Sequence, residues 1–131
     1  MNVLISGSNG LIGKELFARL HSEGHRVIRL VRSEPCSNDE VHWDIVNRKI
    51  NLKAFPVIDW VIHLAGAPIA DKRWSTAVRK ELRSSRILST ELLVATLREM
   101  NVRPKVFICA SAIGIYGQRQ DEKLTELSSV G

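Results

Sequence analysis

Apolar and polar positions along the chain fall into blocks of two different periods. Val3-Leu4-Ile5-Ser6 is a short, nearly continuous apolar run and reads as a strand. From Leu11 to Ser22 the apolar positions Ile12, Leu16 and Leu20 recur four apart, with Lys14, Glu15 and Arg19 between them. That spacing predicts an amphipathic helix with the first set turned inward, and Gly24 supplies its stop. Val27 to Val31 is a second apolar run, Ser33 to Glu40 a polar loop, and Val41-His42-Trp43 a short third strand. Residues 46 to 56 show neither period and read as irregular. Asp59 to Leu64 forms a fourth run, followed by the small-residue loop Ala65-Gly66-Ala67-Pro68. Trp74 to Met100 is a long helical stretch, interrupted near Ser84-Ser85, with Leu88, Leu92 and Ala95 as its inner positions. After Pro104, Lys105 to Ala110 is a fifth strand. Apolar strands separated by helices predict a parallel sheet covered on both faces, hence a Rossmann-type doubly wound α/β fold forming one domain over 1–131.

Composition narrows the function more than the fold. The 131 residues are 44% hydrophobic and 25% charged, an ordinary globular balance. Net charge is +5 and the isoelectric point about 9.6. The basic residues are scattered among acids, which suits an anionic small molecule better than nucleic acid. Even the basic run of the long helix (Lys72, Arg73, Arg79, Lys80, Arg83, Arg86) is interrupted by Glu81 and carries no aromatic stacking platform. Of the two cysteines, Cys109 reads as a buried small hydrophobe and Cys36 lies in a polar loop. Neither a disulfide framework nor a metal spacing is present, which predicts a reducing compartment and no metal site. No apolar run is long enough for a membrane span and no targeting segment precedes the first strand, so the cytoplasm is expected. Beyond Tyr116-Gly117 the chain turns polar, without the helix and strand that usually follow in a dinucleotide fold. This predicts a chain cut short after its fifth strand, with a natural short module as the alternative, and in either case an open sheet edge that invites a homodimer.

The candidate chemistry sits at the ends of the strands. Ser6-Gly7-Ser8-Asn9-Gly10-Leu11-Ile12-Gly13 places a glycine-rich turn between a buried strand and a helix N-terminus, the arrangement that binds a pyrophosphate. Gly7 suits the sharp turn, Gly10 a close main-chain approach to phosphate oxygens, and Gly13 a close helix–strand contact. Arg32 ends the second strand, where a carboxylate would hold a ribose 2′-hydroxyl. A guanidinium there favours a 2′-phosphate, hence NADP in preference to NAD, although an exposed arginine needs no ligand at all. Asp44 follows the third strand and either orients an adenine or only forms a turn. His63 reads as a structural histidine beside the cofactor rather than a general base, since no carboxylate neighbours it. Ser111, just past the fifth strand, either contacts a substrate oxygen or caps a turn. Tyr116 lacks a lysine four residues on, so its phenol is a poor acid–base group. Trp43 and Trp60 read as packing residues.

Three stretches, Ser6 to Gly13, Asp59 to Gly66 and Phe107 to Gly117, resemble the extended short-chain dehydrogenase/reductase superfamily of NAD(P)-dependent epimerases and dehydratases. Ala67-Pro68-Ile69-Ala70-Asp71-Lys72-Arg73-Trp74, with Glu81 and Ser85-Arg86, resembles more narrowly its atypical epimerase-family group, whose members are about twice this length and carry a C-terminal substrate domain. The resemblance implies an NADP site built from Gly7, Ser8, Asn9, Gly10, Leu11, Ile12, Gly13, Arg32, Asp44, Leu64, Ala65, Gly66, Glu81 and Arg86, with Ser111 as the catalytic candidate. It implies an oxidoreductase or nucleotide-sugar epimerase-like protein acting on an unidentified small molecule. Three departures put catalysis by this chain in doubt: Ala112 falls where the superfamily places its serine, Arg86 where many members carry an asparagine, and the usual Tyr-x-x-x-Lys pair would come after residue 131. The last of these supports the alternative, a non-catalytic NADP-binding sensor or regulatory module.

Overall fold

The computed structural model describes residues 1–69 and 73–131, so Ala70, Asp71 and Lys72 of the motif above lie outside the described residues. In chain order the elements are β1 (Asn2–Ser6), α1 (Leu11–Ser22), β2 (Arg26–Val31), β3 (Glu40–Asp44), β4 (Lys49–Ile50), β5 (Trp60–His63), α2 (Thr76–Arg98), β6 (Val106–Cys109) and a 3₁₀ turn at Ile113–Tyr116. The sheet runs β4-β3-β2-β1-β5-β6. Five strands are parallel, with Val3 opposite both Val27 and Trp60, and Val61 opposite Phe107. The chain steps outward from β1 to β3, then crosses over to β5 on the other side of β1. The order therefore reverses between β1 and β5, which opens a crevice at the carboxyl ends of those two strands.

Alternation along the strands gives the sheet two apolar faces. Leu4, Ile28, Leu30, Val41, Trp43 and Val61 face α2 and meet Leu93 and Leu97. Val3, Ile5, Val27 and Ile62 face α1 and meet Leu20. The Rossmann-type α/β reading holds, with three corrections. The sheet has a sixth strand, β4, which pairs antiparallel with β3. It arises inside the stretch that reads as irregular, because Asp44 accepts from the Asn47 amide and side chain and turns the chain back, with Arg48 in the left-handed region at φ 54°. Secondly, α2 is unbroken over 23 residues. Ser84 and Ser85 stay helical because their hydroxyls donate to the carbonyls three residues back. Thirdly, several positions read as inward are not. Ile12 is 67% exposed, because the first turn of α1 stands at the edge of the sheet, while Gly13 and Leu20 are the buried positions. Leu88 and Ala95 are exposed, and Ser89, Leu92, Leu93 and Leu97 form the inner stripe of α2. Cys109 is exposed.

Gly24 ends α1 as expected. At φ 79° its amide donates to His21 and the next amide to Leu20, closing off two terminal carbonyls. No helix among the described residues is long and apolar enough to cross a membrane.

Candidate functional site

The crevice between β1 and β5 opens into a cavity of about 430 Å³, within the range of small-molecule sites. Its floor is the glycine turn. The Gly10 amide donates to the Gly7 carbonyl at 3.1 Å, and the Lys14 amide to the Gly10 carbonyl at 3.0 Å, which starts the helical ladder. The amides of Leu11, Ile12 and Gly13 precede that ladder and have no acceptor within the helix. Among the described residues no side chain caps this end of α1, and its first turn contains no acid. An uncapped helix start with free amides is an anion site in waiting.

The glycines act differently from one another. Gly7 has φ 75°, and a Cβ there would sit 2.8 Å from the Ala65 amide nitrogen and the Leu64 carbonyl carbon. At Gly13 a Cβ would lie 2.2 Å from the Gly7 carbonyl oxygen. These two weld turn, helix and β5 together. By contrast a Cβ on Gly10 would meet only the Gly7 oxygen, at 3.3 Å. Gly10 thus leaves its open side to the cavity.

Arg32, at the end of β2, lines the same cavity as Gly7, Ser8, Asn9 and Gly10. Among the described residues its guanidinium makes no hydrogen bond or ion pair, in contrast to Arg26 and Arg29, which pair with Asp39 and Glu40. Leu64, Ala65, Gly66 and Glu81 line it too. The remaining candidates lie outside the lining. Leu11 and Ile12 turn their side chains to solvent. Asp44 is taken up by its turn: the Asn47 hydrogen bonds hold its carboxyl below the usual 3.8, and its neighbours Trp43 and Ile45 line the cavity instead. Arg86 reaches back across the loop, donating to the Leu82 and Ala67 carbonyls at 2.9 and 3.2 Å. Its guanidinium lies against Gly66, where a Cβ would come within 3.0 Å. Arg86 therefore clamps the loop rather than facing the cavity. Ser111 is exposed, just beyond β6, and makes no hydrogen bond among the described residues.

Sequence reasoning missed several residues. Leu30, Val31, Ile45, Ala67 and Ser85 line the cavity, as does Trp43, which reads as packing alone. Ser85 accepts from the Ala67 amide at 3.1 Å and joins Arg86 in holding the loop to α2. Its place beside Arg86 was the available signal. No group of acids, histidines and cysteines that could hold a metal ion occurs among the described residues.

Comparison with known proteins agrees with this geometry. Residues 3–130 match the model of the NAD dependent epimerase/dehydratase family. An epimerase family protein of Mycobacterium bovis is 40% identical over 129 residues, 98% of this chain and 42% of that protein. The human epimerase family protein SDR39U1, solved with NADPH, superposes with a TM-score of 0.74 at 30% identity, over 88% of this chain and 38% of that one. A nucleoside-diphosphate sugar epimerase from Corynebacterium glutamicum gives 0.79 at 36% identity, over 100% and 27%. The chain spans about two fifths of the length of the curated relatives it matches.

Proposed function

The chain belongs to the NAD-dependent epimerase/dehydratase family, and on that premise we propose that its cavity binds NADP as the cofactor-binding part of an oxidoreductase or epimerase. One observation carries the choice of NADP: Arg32, whose guanidinium has no partner among the described residues, lines the same cavity as the glycine turn. The site fits a dinucleotide. The uncapped amides at the start of α1 suit a pyrophosphate, and the absence of a side chain at Gly10 lets it approach. Arg32 receives the 2′-phosphate through charge-assisted hydrogen bonds. Leu64, Ala65 and Gly66 lie beside the ribose, on a loop that Ser85 and Arg86 hold against α2. The human relative solved with NADPH supports the same reading.

When bound, the nicotinamide would give or take a hydride at a carbinol or carbonyl carbon of the substrate. The chain's part is to bind and orient. Ser111, at the carboxyl edge of the sheet, offers a hydroxyl to a substrate oxygen. A second reading, a non-catalytic NADP sensor, draws support from Ser111 having no hydrogen-bonded acid or base beside it among the described residues. The binding reading is tested by titrating the protein with NADPH while following tryptophan emission, because Trp43 lines the cavity. A saturable change at one equivalent supports it, and a flat titration overturns it. Transfer of label from deuterated NADPH to an added carbonyl compound favours the enzyme over the sensor.

A further inference from the structure

A buried polar cluster lies directly beneath the cavity without lining it. His63 ends β5 and is 3% exposed. Its Nδ1 is 2.6 Å from Ser6 Oγ, at the end of β1. Its Nε2 is 3.0 Å from Thr90 Oγ1 and 3.3 Å from Ser89 Oγ, both on α2. Each hydroxyl has a further partner. Ser6 Oγ accepts from the Ala65 amide at 3.3 Å. Thr90 Oγ1 and Ser89 Oγ donate to the Arg86 carbonyl, at 2.7 and 3.1 Å.

Proton counting fixes the direction of this chain. A hydroxyl has one proton, and the Arg86 carbonyl can only accept. Thr90 and Ser89 therefore give their protons to Arg86 and can only accept from His63. Nε2 must carry the imidazole proton, which leaves Nδ1 as an acceptor for the Ser6 hydroxyl. The sequence runs from the Ala65 N–H through Ser6 to His63, and on through Thr90 to the Arg86 carbonyl. No buried side-chain polar atom among the described residues lacks a partner. A second proton on the ring would take away the acceptor of the Ser6 hydroxyl and leave that buried O–H without its partner. Burial also lowers the affinity of His63 for that proton, holding its pKa below the ordinary 6.5.

We infer that His63, neutral and protonated on Nε2, is a positioning residue for the dinucleotide site. It ties together the end of β1, the Leu64–Ala65 segment and the turn of α2 that carries Arg86. Those are the walls of the crevice. The Leu64–Ala65 segment has no room to drift toward the glycine turn, since a single added carbon at Gly7 would already be 2.8 Å from it. A small displacement of Leu64–Ala65 is therefore directed away from the turn, to the nicotinamide side of the site, while the turn and Arg32, on β2, stay where they are. The inference rests on the NADP reading.

The test uses two probes, NADPH and adenosine 2′,5′-bisphosphate, the latter lacking the nicotinamide half. His63→Leu and Ser6→Ala are expected to weaken NADPH about tenfold, the scale of a lost positioning hydrogen bond, and to change bisphosphate binding by less than about twofold. Thr90→Val should follow them, while Thr90→Ser, which keeps the hydroxyl, should bind NADPH as the unaltered protein does. Equal losses for both probes would indicate a merely structural role and overturn the inference, as would no loss for either. If the unaltered protein binds neither probe, the NADP reading has failed and the inference falls with it. Should the His63 variants not fold, nitrogen-15 NMR of the unaltered protein decides: a proton on Nε2 supports the assignment, and a proton on Nδ1 contradicts it.

Discussion

β1 and β5 at the centre of the sheet and β6 at its edge are built from the same residue types and have opposite fates. Ile5 and Val61 are wholly inaccessible, whereas Phe107 and Ile108 are 40% and 46% exposed. Val61 and Phe107 are register partners, as are Ile62 and Ile108. What separates them is the layer above. The inner residues of α1 and α2 cover β1, β2 and β5 on the two faces, and neither helix's buried stripe reaches β6. An apolar run marks a strand that needs covering. Whether it is covered depends on another segment of chain, and that information is not local. The same difference separates the site's precise half, the welded glycine turn, from Ser111, which stands alone at the open side.

The widest gap should appear in unfolding free energies. Ile5→Ala should cost about 2–5 kcal/mol, as a buried large-to-small change does. The equivalent change at Ile108 should stay within about 0.5 kcal/mol, because its side chain is already half in water. Urea denaturation of the two variants checks this, and similar losses would show that β6 is covered in solution. Next in size is a pair of glycines. Gly13→Ala forces a carbon to within 2.2 Å of the Gly7 carbonyl and should destabilise by about 1–3 kcal/mol, with loss of NADPH binding. At Gly114, in the turn after β6, an added carbon meets nothing within 4 Å, so alanine there should be neutral or stabilising by up to about 1 kcal/mol. A destabilised Gly114→Ala would contradict the open space seen around it.

A subtler effect is a pH slope. The folded protein holds the His63 pKa below 6.5, so the unfolded chain takes up that proton first as pH falls. Stability from this group is complete above about pH 6.5 and declines as pH drops from there toward the folded-state value. His63→Gln should flatten the slope in that window by no more than one proton. Asp44, whose pKa is also lowered, adds its own loss as pH falls below its ordinary value of 3.8, so the slope just below pH 6.5 belongs to His63 and not to Asp44. An unchanged slope in the variant would remove His63 as the source.

Much of the centre is legible in the sequence because its signals are local. Val3 to Ser6, the glycine spacing and Gly24 each announce their element within a few residues, and the parallel strands begin and end within about one residue of where the apolar runs place them. β4 is not legible that way: two residues carry no periodicity, and the strand exists because Asp44 and Asn47 turn the chain back. Ile12 and Leu88 fit a helical stripe in sequence yet face solvent, since a stripe gives a direction and not the extent of the surface beneath it. For the candidate site, the expectation for Gly7, Gly10 and Arg32, which line the cavity, comes from strand ends. Ser6, Thr90 and Ser85 are not legible there, because their roles come from partners 18 to 59 positions away.

The most direct test of the account is the ratio of NADPH to NADH dissociation constants, measured by calorimetry for the unaltered protein and for Arg32→Glu. NADPH should bind at least tenfold more tightly than NADH to the unaltered protein. The substitution should cost NADPH about 1.5–3 kcal/mol and remove the preference. Equal affinities for the two dinucleotides, or a preference that survives the loss of the guanidinium, would contradict the NADP reading.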